Sequence, residues 1–181
     1  MKRIIVLALG MFSAAAVVTA QDFKFGHINM QEVIYLMDDM DSARVALDQF
    51  RMDTEATYNA MVEEFNTKYR TYNEMGASWT PAVLATKQQE LQDLQTRIQQ
   101  YEQNAGADMN NLQQQLMMPI MNKANNAVSK VGKANGLIYV FDVSTGAVPY
   151  FDAAQSMDIT AQVKAELNIS PDKTLPQTPI Q

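Results

Sequence analysis

Two long stretches of the sequence carry apolar residues at alternating steps of three and four, and one short break separates them. The first stretch runs from Gln31 to about Met75 and contains no Gly or Pro, and the second runs from Leu84 to Val131. This spacing places the apolar side chains along one narrow stripe of a helix. At ~1.5 Å per residue each helix would be roughly 65 to 80 Å long, which is too long for the middle of a globular core.

The break, residues 76–81, combines signals that end one helix and begin another. Gly76 is a helix stop, Thr80 offers a capping hydroxyl, and Pro81 suits a first helical position. We therefore predict an antiparallel coiled-coil hairpin over residues 36–134, with its tip near residues 76–81, in which each stripe buries the other.

Two positions in the second stretch have specific consequences for such a hairpin. With the tip near residue 78, Gly106 lies opposite Phe50, a small residue against a bulky one. Pro119 lacks the N–H that would bond Gln115, which predicts a kink and a hinge near the base of the hairpin.

Short strand patterns stand at both ends of the hairpin. Residues 23–30 have the alternation of a short strand, with Gly26 at a bulge or close approach. Residues 137–143 form an apolar run that predicts a second strand, and a turn at 144–146 leads to an edge strand over 147–151. The fold class is α+β, with the hairpin inserted into a small β-sheet body made of residues 21–35 and 135–169. The residues predicted for the core of this body or for its contact with other copies are Phe23, Phe25, Ile28, Ile138 and Val140.

The end of the chain is predicted to hold one short helix and a tail. Asp158 and Thr160 offer N-cap oxygens to a helix that ends near Leu167, with Val163 and Leu167 facing inward. Residues 170–181 contain three prolines and are expected to be disordered.

The first twenty residues have the pattern of a cleavable export signal. Lys2 and Arg3 precede a short apolar run, and small residues end at Ala20, after which cleavage is predicted. The run is shorter than the ~20 residues that span a bilayer, so no integral membrane segment is expected. Without Lys2 and Arg3 the mature chain has 12 basic and 20 acidic residues, a net charge of −8.

Composition excludes several functions. The chain has no cysteine and a single histidine, His27, so thiol catalysis and His-rich metal sites are ruled out and no catalytic residue, cofactor or metal is assigned. The acidic balance gives no basic surplus for nucleic acid, and no P-loop suggests an ATP cycle. We do not expect an enzyme.

The size of the predicted body indicates assembly. It amounts to roughly fifty residues, a size at which a single core is marginal and needs staples or partners. Since no cysteines are present to staple it, we infer oligomerisation through the apolar strands.

The two ends of the chain resemble a known family. Over about residues 21 to 169 the sequence is similar to the Skp (OmpH-like) periplasmic chaperones. The segments that carry the resemblance are Ile28-Asn29-Met30, the Pro119-Ile120 step, Ala134-Asn135-Gly136, Tyr139-Val140-Phe141-Asp142 and Asp158-Ile159-Thr160-Ala161. The resemblance implies a homotrimer in the periplasm, with three hairpins protruding as tentacles around unfolded outer-membrane β-barrel proteins. It implies an ATP-independent holdase that keeps these proteins soluble in transit.

A holdase of this kind needs many weak, adaptable contacts, which methionine provides. Met52, Met75, Trp79 and Met117 fall off the apolar stripes or at the tip, and we predict client contact there. One feature departs from the family: well-known members are basic, whereas this chain is acidic. Electrostatic capture of anionic clients and binding of anionic lipid are therefore not expected.

Two residue features could suggest a metal site, and two other classes of protein stay open. Asp38-Asp39-x-Asp41 could suggest a metal loop, but it lacks the Gly and terminal Glu of a calcium site and is predicted to be a solvated helix face. His27 is predicted to be a satisfied strand residue rather than a ligand. A secreted coiled-coil adaptor that docks one folded envelope partner would share the hairpin; an efflux adaptor would need larger β-rich modules.

Overall fold

The computed structural model describes residues 23–175. In chain order they form strand β1 (Phe25–Ile28), helices α1 (Met30–Leu36), α2 (Asp38–Met75) and α3 (Pro81–Ala134), strands β2 (Tyr139–Asp142) and β3 (Ser156–Asp158), and helix α4 (Thr160–Glu166). Long helices with one small sheet confirm the α+β class. The predicted signal peptide, residues 1–20, and the last six residues of the predicted tail lie outside the described residues.

The three strands form one parallel sheet in the order β2-β1-β3. Phe25 in the central strand β1 pairs with Tyr139 of β2 and with Ser156 of β3. Strands from both ends of the chain therefore meet in one sheet, and α2 and α3 lie between them in sequence.

The third strand is not where the sequence predicts it. The structure has no strand over residues 147–151, and β3 forms at Ser156–Asp158 instead. Pro149 has no N–H to give to a neighbouring strand. Main-chain pairing to β1 holds β3, and the N–H of Ile159 donates to the carbonyl of His27 at 3.1 Å just beyond it.

Helices α2 and α3 pack along each other and are joined by a tight connection; we call α2, the connection and α3 the arm. A 3-10 turn over Gly76–Ser78 follows α2, and the Thr80 side chain accepts a hydrogen bond from the N–H of Val83 at 3.4 Å. Pro81 occupies the first turn of α3, where its missing N–H costs nothing. With 38 and 54 residues, the two helices are about 57 and 81 Å long at ~1.5 Å per residue.

The helix predicted to begin at Gln31 is interrupted at Met37. This residue has an extended backbone (φ −66°, ψ 139°) and separates α1 from α2. Its side chain is 1% exposed, next to the buried Val33 and Leu36. All three side chains belong to the body core, so the break lies where the chain passes from the body into the arm.

The hydrophobic core lies at the base of the arm, where α1, the end of α3, α4 and the inner side of the sheet meet. Its buried members are Ile28, Val33, Leu36, Met37, Ala43, Ile120, Ala124, Ala127, Val131, Ile159, Val163 and Ile169. Above this level, among the described arm residues, Leu94 is the one apolar side chain that is fully buried. The body is thus well packed, whereas the arm is a two-helix rod with a half-exposed seam.

The chain after α4 turns back against the arm base. Asn168 has a positive φ of 57°, and Ile169 is buried in the body core. Of the tail for which disorder is expected, the structure describes residues 170–175. There the Lys173 ammonium lies 2.7 Å from Asp38 and 2.6 Å from Asp41 at the start of α2.

Candidate functional site

The outer side of the sheet carries a cluster of stacked aromatic rings. The ring centroid of Phe25 lies 6.4 Å from that of Tyr139 and 6.4 Å from that of Phe141, and the latter two are 6.0 Å apart. All three are exposed: 38% for Phe25, 62% for Tyr139 and 40% for Phe141. We call Phe25, Tyr139 and Phe141 the aromatic face. A compact aromatic patch open to water is typical of an interaction surface.

The strand register explains this arrangement. Side chains alternate between the two sides of a strand, and residues paired across a parallel sheet point to the same side. Phe25 pairs with Tyr139, and His27 pairs with Phe141, so these side chains share the outer side. Gly26, Ile28 and Val140 point to the core, where Ile28 is 1% exposed and Val140 is half-buried.

The residues predicted for the body therefore divide into two groups. Ile28 and Val140 pack in the body core, whereas Phe23, Phe25 and Ile138 are exposed. The sequence reasoning missed Tyr139 and Phe141. Their signal was present in the period-two alternation of β2, which sets Tyr139 and Phe141 apart from Val140, but a continuous apolar run does not tell which side faces solvent.

The single histidine belongs to the same side of the sheet. The Nδ1 atom of His27 is 2.9 Å from the Ser156 hydroxyl, and its ring lies 4.6 Å from that of Phe151. Within residues 23–175, no three side chains of His, Asp or Glu lie together in a way that could hold a metal ion. His27 thus joins the strands and the loop before β3.

One carboxylate ties the end of β2 to the start of α1. Asp142 Oδ1 accepts hydrogen bonds from the Ser144 N–H at 2.9 Å, the Ser144 hydroxyl at 2.6 Å and the Met30 N–H at 3.3 Å. Burial raises the pKa of Asp142, but these hydrogen bonds favour the charged form and hold the pKa below its usual value. The hydrogen bonds between β2 and α1 thus favour the ionised form of Asp142.

The four predicted client-contact residues lie in three different settings. Met52 and Met75 are exposed on α2, at 59% and 51%. Trp79 is half-buried at the tip, with its ring edge-on to Tyr72 at 6.1 Å. Met117 is half-buried and packs against the body core. Along the arm, Met117 thus lies near the base, Met52 lies between the base and the tip, and Met75 and Trp79 lie at the tip.

Two exposed methionines were not predicted. Met118 and Met121 follow Met117 on α3 and are both exposed. They flank Pro119, which lies inside the continuous helix α3. Their signal was the Met-Met-Pro-Ile-Met sequence itself, in which helical spacing puts these two side chains away from the buried Ile120.

The acidic residues Asp38, Asp39 and Asp41, which we call the acidic cluster, each have a basic partner. Lys173 pairs with Asp38 and Asp41, Lys123 lies 2.6 Å from Asp39, and Arg44 lies 2.8 Å from Asp41. The hydrogen bond from Lys173 holds the pKa of Asp41 below its usual value, and Asp38 raises the pKa of Lys173. The cluster was predicted to be a solvated helix face; Asp38 and Asp39 are exposed and Asp41 is half-buried, and Arg44, Lys123 and Lys173 together offset the three negative charges.

Within residues 23–175, no helix combines the length and the apolar character needed to cross a membrane.

A parallel three-stranded body with an outward aromatic face, from which a two-helix arm extends, defines the class of the protein: an α+β fold with a helical hairpin inserted into a small sheet body. The family model described as "Outer membrane protein (OmpH-like)" matches residues 24–167. The chain belongs to this OmpH-like (Skp) family, whose members are periplasmic chaperones rather than enzymes. A comparison with curated proteins gave no match.

Proposed function

We propose that this protein is an ATP-independent holdase of the periplasm, which binds unfolded outer-membrane β-barrel proteins between helical arms and keeps them soluble. The observation that carries the proposal is the pairing of an exposed aromatic face on the body with a long arm in a chain of the OmpH-like family. The aromatic face supports assembly, and assembly gives several arms one common space.

The exposed aromatic rings of the body support assembly. The rings of Phe25, Tyr139 and Phe141 leave a large apolar surface in water, and burying it stabilises an oligomer by about 25 cal/mol for each Å² removed from water. Phe23 and Ile138 are exposed apolar residues of the body as well. A homotrimer, as the family resemblance implies, places three arms around one cavity.

The arm supports binding without folding. Its seam is half-exposed, and Met52, Met75, Met118 and Met121 offer flexible apolar side chains to irregular partners. Each contact is weak, but three arms acting together raise the overall affinity by avidity. Release then needs no ATP, because single contacts break and the client can leave by competition with its folding site in the outer membrane.

The charge of the arm limits the clients. Helix α2 carries nine acidic and four basic residues, so attraction of anionic segments or anionic lipid is not part of the proposal. Export to the periplasm rests on the predicted signal peptide, residues 1–20, with cleavage after Ala20.

The experiment is an aggregation assay with the mature chain, residues 21–181. A urea-unfolded β-barrel protein is diluted into buffer with or without the mature protein, in the absence of ATP, and light scattering is followed. We expect suppression at a stoichiometric ratio. Equal suppression by an unrelated acidic coiled coil would contradict the proposal.

A variant pair tests whether the exposed methionines take part. The double substitution Met52→Ser and Met75→Ser should weaken suppression, since it removes apolar contact surface. Asn73→Ser, an exposed polar residue of the same helix, is the control and should leave suppression unchanged.

A further inference from the structure

A cavity of about 420 Å³ opens between α2 and α3 midway along the arm. Its apolar lining comes from both helices and consists of Phe50, Tyr58, Tyr101, Ala105, Gly106 and Met109. We call it the notch. Its volume is at the lower end of the range for ligand sites and suits a side chain rather than a folded domain.

Residue size and one hydrogen bond produce the notch. Ala105 stands on the seam of α3 between the larger Tyr101 and Met109, and Gly106 beside it has no side chain; apart from its own helix backbone, no atom lies within 4 Å of the position that a Cβ on Gly106 would take. In the wall of the notch, the Tyr101 hydroxyl donates a hydrogen bond to the carbonyl of Thr54 at 3.4 Å, which holds the Tyr101 ring against α2. The notch is therefore open to water and has a wall of fixed aromatic rings.

The rim of the notch is acidic. Glu55 and Glu102 both line it and are exposed, and neither has a basic group within 4 Å among residues 23–175. Arg51, the one base of the rim, lies 3.7 Å from Asp48, which offsets its charge.

The surroundings have the same sign. Residues 48–64 and 93–108 together hold two bases, Arg51 and Arg97, against eight acids. These acids are Asp48, Asp53, Glu55, Glu63, Glu64, Asp93, Glu102 and Asp108. The potential around the notch is therefore negative, and a positive group gains energy by approaching it.

We propose that the notch binds a basic side chain, arginine in preference to lysine, from an extended segment of an unfolded client. The alkyl stem of such a side chain packs on Phe50 and Met109, its planar guanidinium lies against Tyr58 or Tyr101, and its charge meets Glu55 and Glu102. The chain already uses this pairing at its base, where the Arg44 guanidinium lies 3.9 Å from the centre of the Tyr35 ring. That the arginine belongs to an unfolded chain rests on the proposed function.

The test uses the mature protein and labelled, unstructured peptides that differ at one central position: Arg, Lys, Gln, Leu or Glu. Binding is measured by fluorescence anisotropy at low and moderate salt. We expect the Arg peptide to bind about tenfold more tightly than the Gln peptide, with Lys between them and Glu weakest, since only a cation is attracted both by the aromatic rings and by the two rim carboxylates. Equal affinity of the Arg and Gln peptides, or tighter binding of the Leu peptide, overturns the proposal.

Two pairs of substitutions test whether the carboxylates of the notch cause the Arg preference. Glu55→Gln with Glu102→Gln should reduce the Arg preference to near unity. Glu63→Gln with Asp93→Asn removes the same charge from exposed positions outside the notch lining and should preserve most of the preference. An Arg preference that survives the first pair but not the second places the site elsewhere and overturns the proposal.

A substitution that fills the notch tests the proposal independently. Gly106→Leu occupies the open space and replaces a helix-weakening glycine, so the helix itself is retained. We expect it to abolish the Arg preference. Gln99→Leu, an exposed position of the same helix, is the control and should not. Unchanged Arg preference in Gly106→Leu overturns the proposal.

The outcome is separate from that of the holdase assay. If the unsubstituted protein suppresses aggregation but shows no Arg preference, the notch alone is rejected, whereas an Arg preference without suppression rejects the holdase and leaves the notch. A folded basic protein that binds one-to-one through the notch, more tightly than the Arg peptide, would indicate the adaptor function instead and would overturn the client assignment.

Discussion

Gly26 lies against Leu137 so closely that a Cβ on Gly26 would stand 2.6 Å from Leu137 Cδ1. The same Cβ would be 3.2 Å from the main-chain oxygen of Met157 in the neighbouring strand. Leu137 can shift, but the strand oxygen is fixed by the sheet. The close approach predicted from the isolated glycine in this strand is thus present, and Gly26 lets the chain between α3 and β2 cross the inner side of β1.

Gly26→Ala is therefore expected to destabilise the body by about 1–3 kcal/mol, the usual cost of overpacking a core. Chemical denaturation of the mature protein measures it. Gly106→Ala is the matched control, since nothing lies within 4 Å of its Cβ position, and it should stabilise the arm by up to about 1 kcal/mol. Similar destabilisation by both substitutions would contradict the close approach at Gly26.

Asp142→Ala is expected to destabilise the body by about 2 kcal/mol, because it leaves the Met30 and Ser144 donors without their charged acceptor. Asp142→Asn retains an acceptor and should cost less. Since the pKa of Asp142 is lower in the folded chain than in the unfolded chain, its contribution is present above about pH 4 and is lost as the pH falls through the folded value. The free energy of unfolding should therefore fall less steeply below pH 4 in Asp142→Asn; an identical slope would contradict this.

Lys173→Met is expected to raise the pKa of Asp41 toward its ordinary value, because the Lys173 hydrogen bond is the main cause that lowers it. Arg44 remains beside Asp41 and keeps part of the effect. Carboxyl carbon shifts in an NMR titration measure the change. Lys130→Met, which removes the 2.6 Å pair with Glu166, is the control and should leave Asp41 unchanged. An unaltered Asp41 pKa in Lys173→Met would show that the segment after α4 does not rest on the arm base in solution.

Pro119→Ala is expected to stiffen the arm at its base, because it restores the N–H that bonds the carbonyl of Gln115. The chain has no cysteine, so Ala77→Cys at the exposed tip gives a unique spin-label site. Tip-to-tip distances in the oligomer should spread less in the Pro119→Ala background. An equal spread of tip-to-tip distances in both backgrounds would contradict a hinge at Pro119.

The long helices could be predicted because their signal is local and repeated. Steps of three and four over dozens of residues, with Gly76, Thr80 and Pro81 at one break, leave few alternatives. The interruption at Met37 could not be predicted, because the sequence there continues the helical pattern. The chain changes direction only because Val33, Leu36 and Met37 find a core formed by residues far away in sequence.

The same distinction applies to the sheet and to the candidate site. β3 is held by main-chain pairing and has no apolar run, so its position depends on β1 rather than on its own side chains. The aromatic face needs the strand register, which pairs Phe25 with Tyr139 across more than a hundred residues. The pairing of Lys173 with the acidic cluster is equally non-local. The exposed Met52 and Met75, by contrast, follow from their place off the helical stripe.

We propose that several copies join through the aromatic face and enclose an unfolded client between their arms. Sedimentation velocity tests this with the mature protein, alone and mixed with a β-barrel protein diluted from urea, beside the variant Tyr139→Asp, which places a charge on the exposed aromatic face. We expect a trimer that keeps one client soluble in a defined complex, and a Tyr139→Asp variant that sediments as a single chain and lets the client precipitate. A wild-type protein that sediments as a single chain while the client precipitates would contradict it.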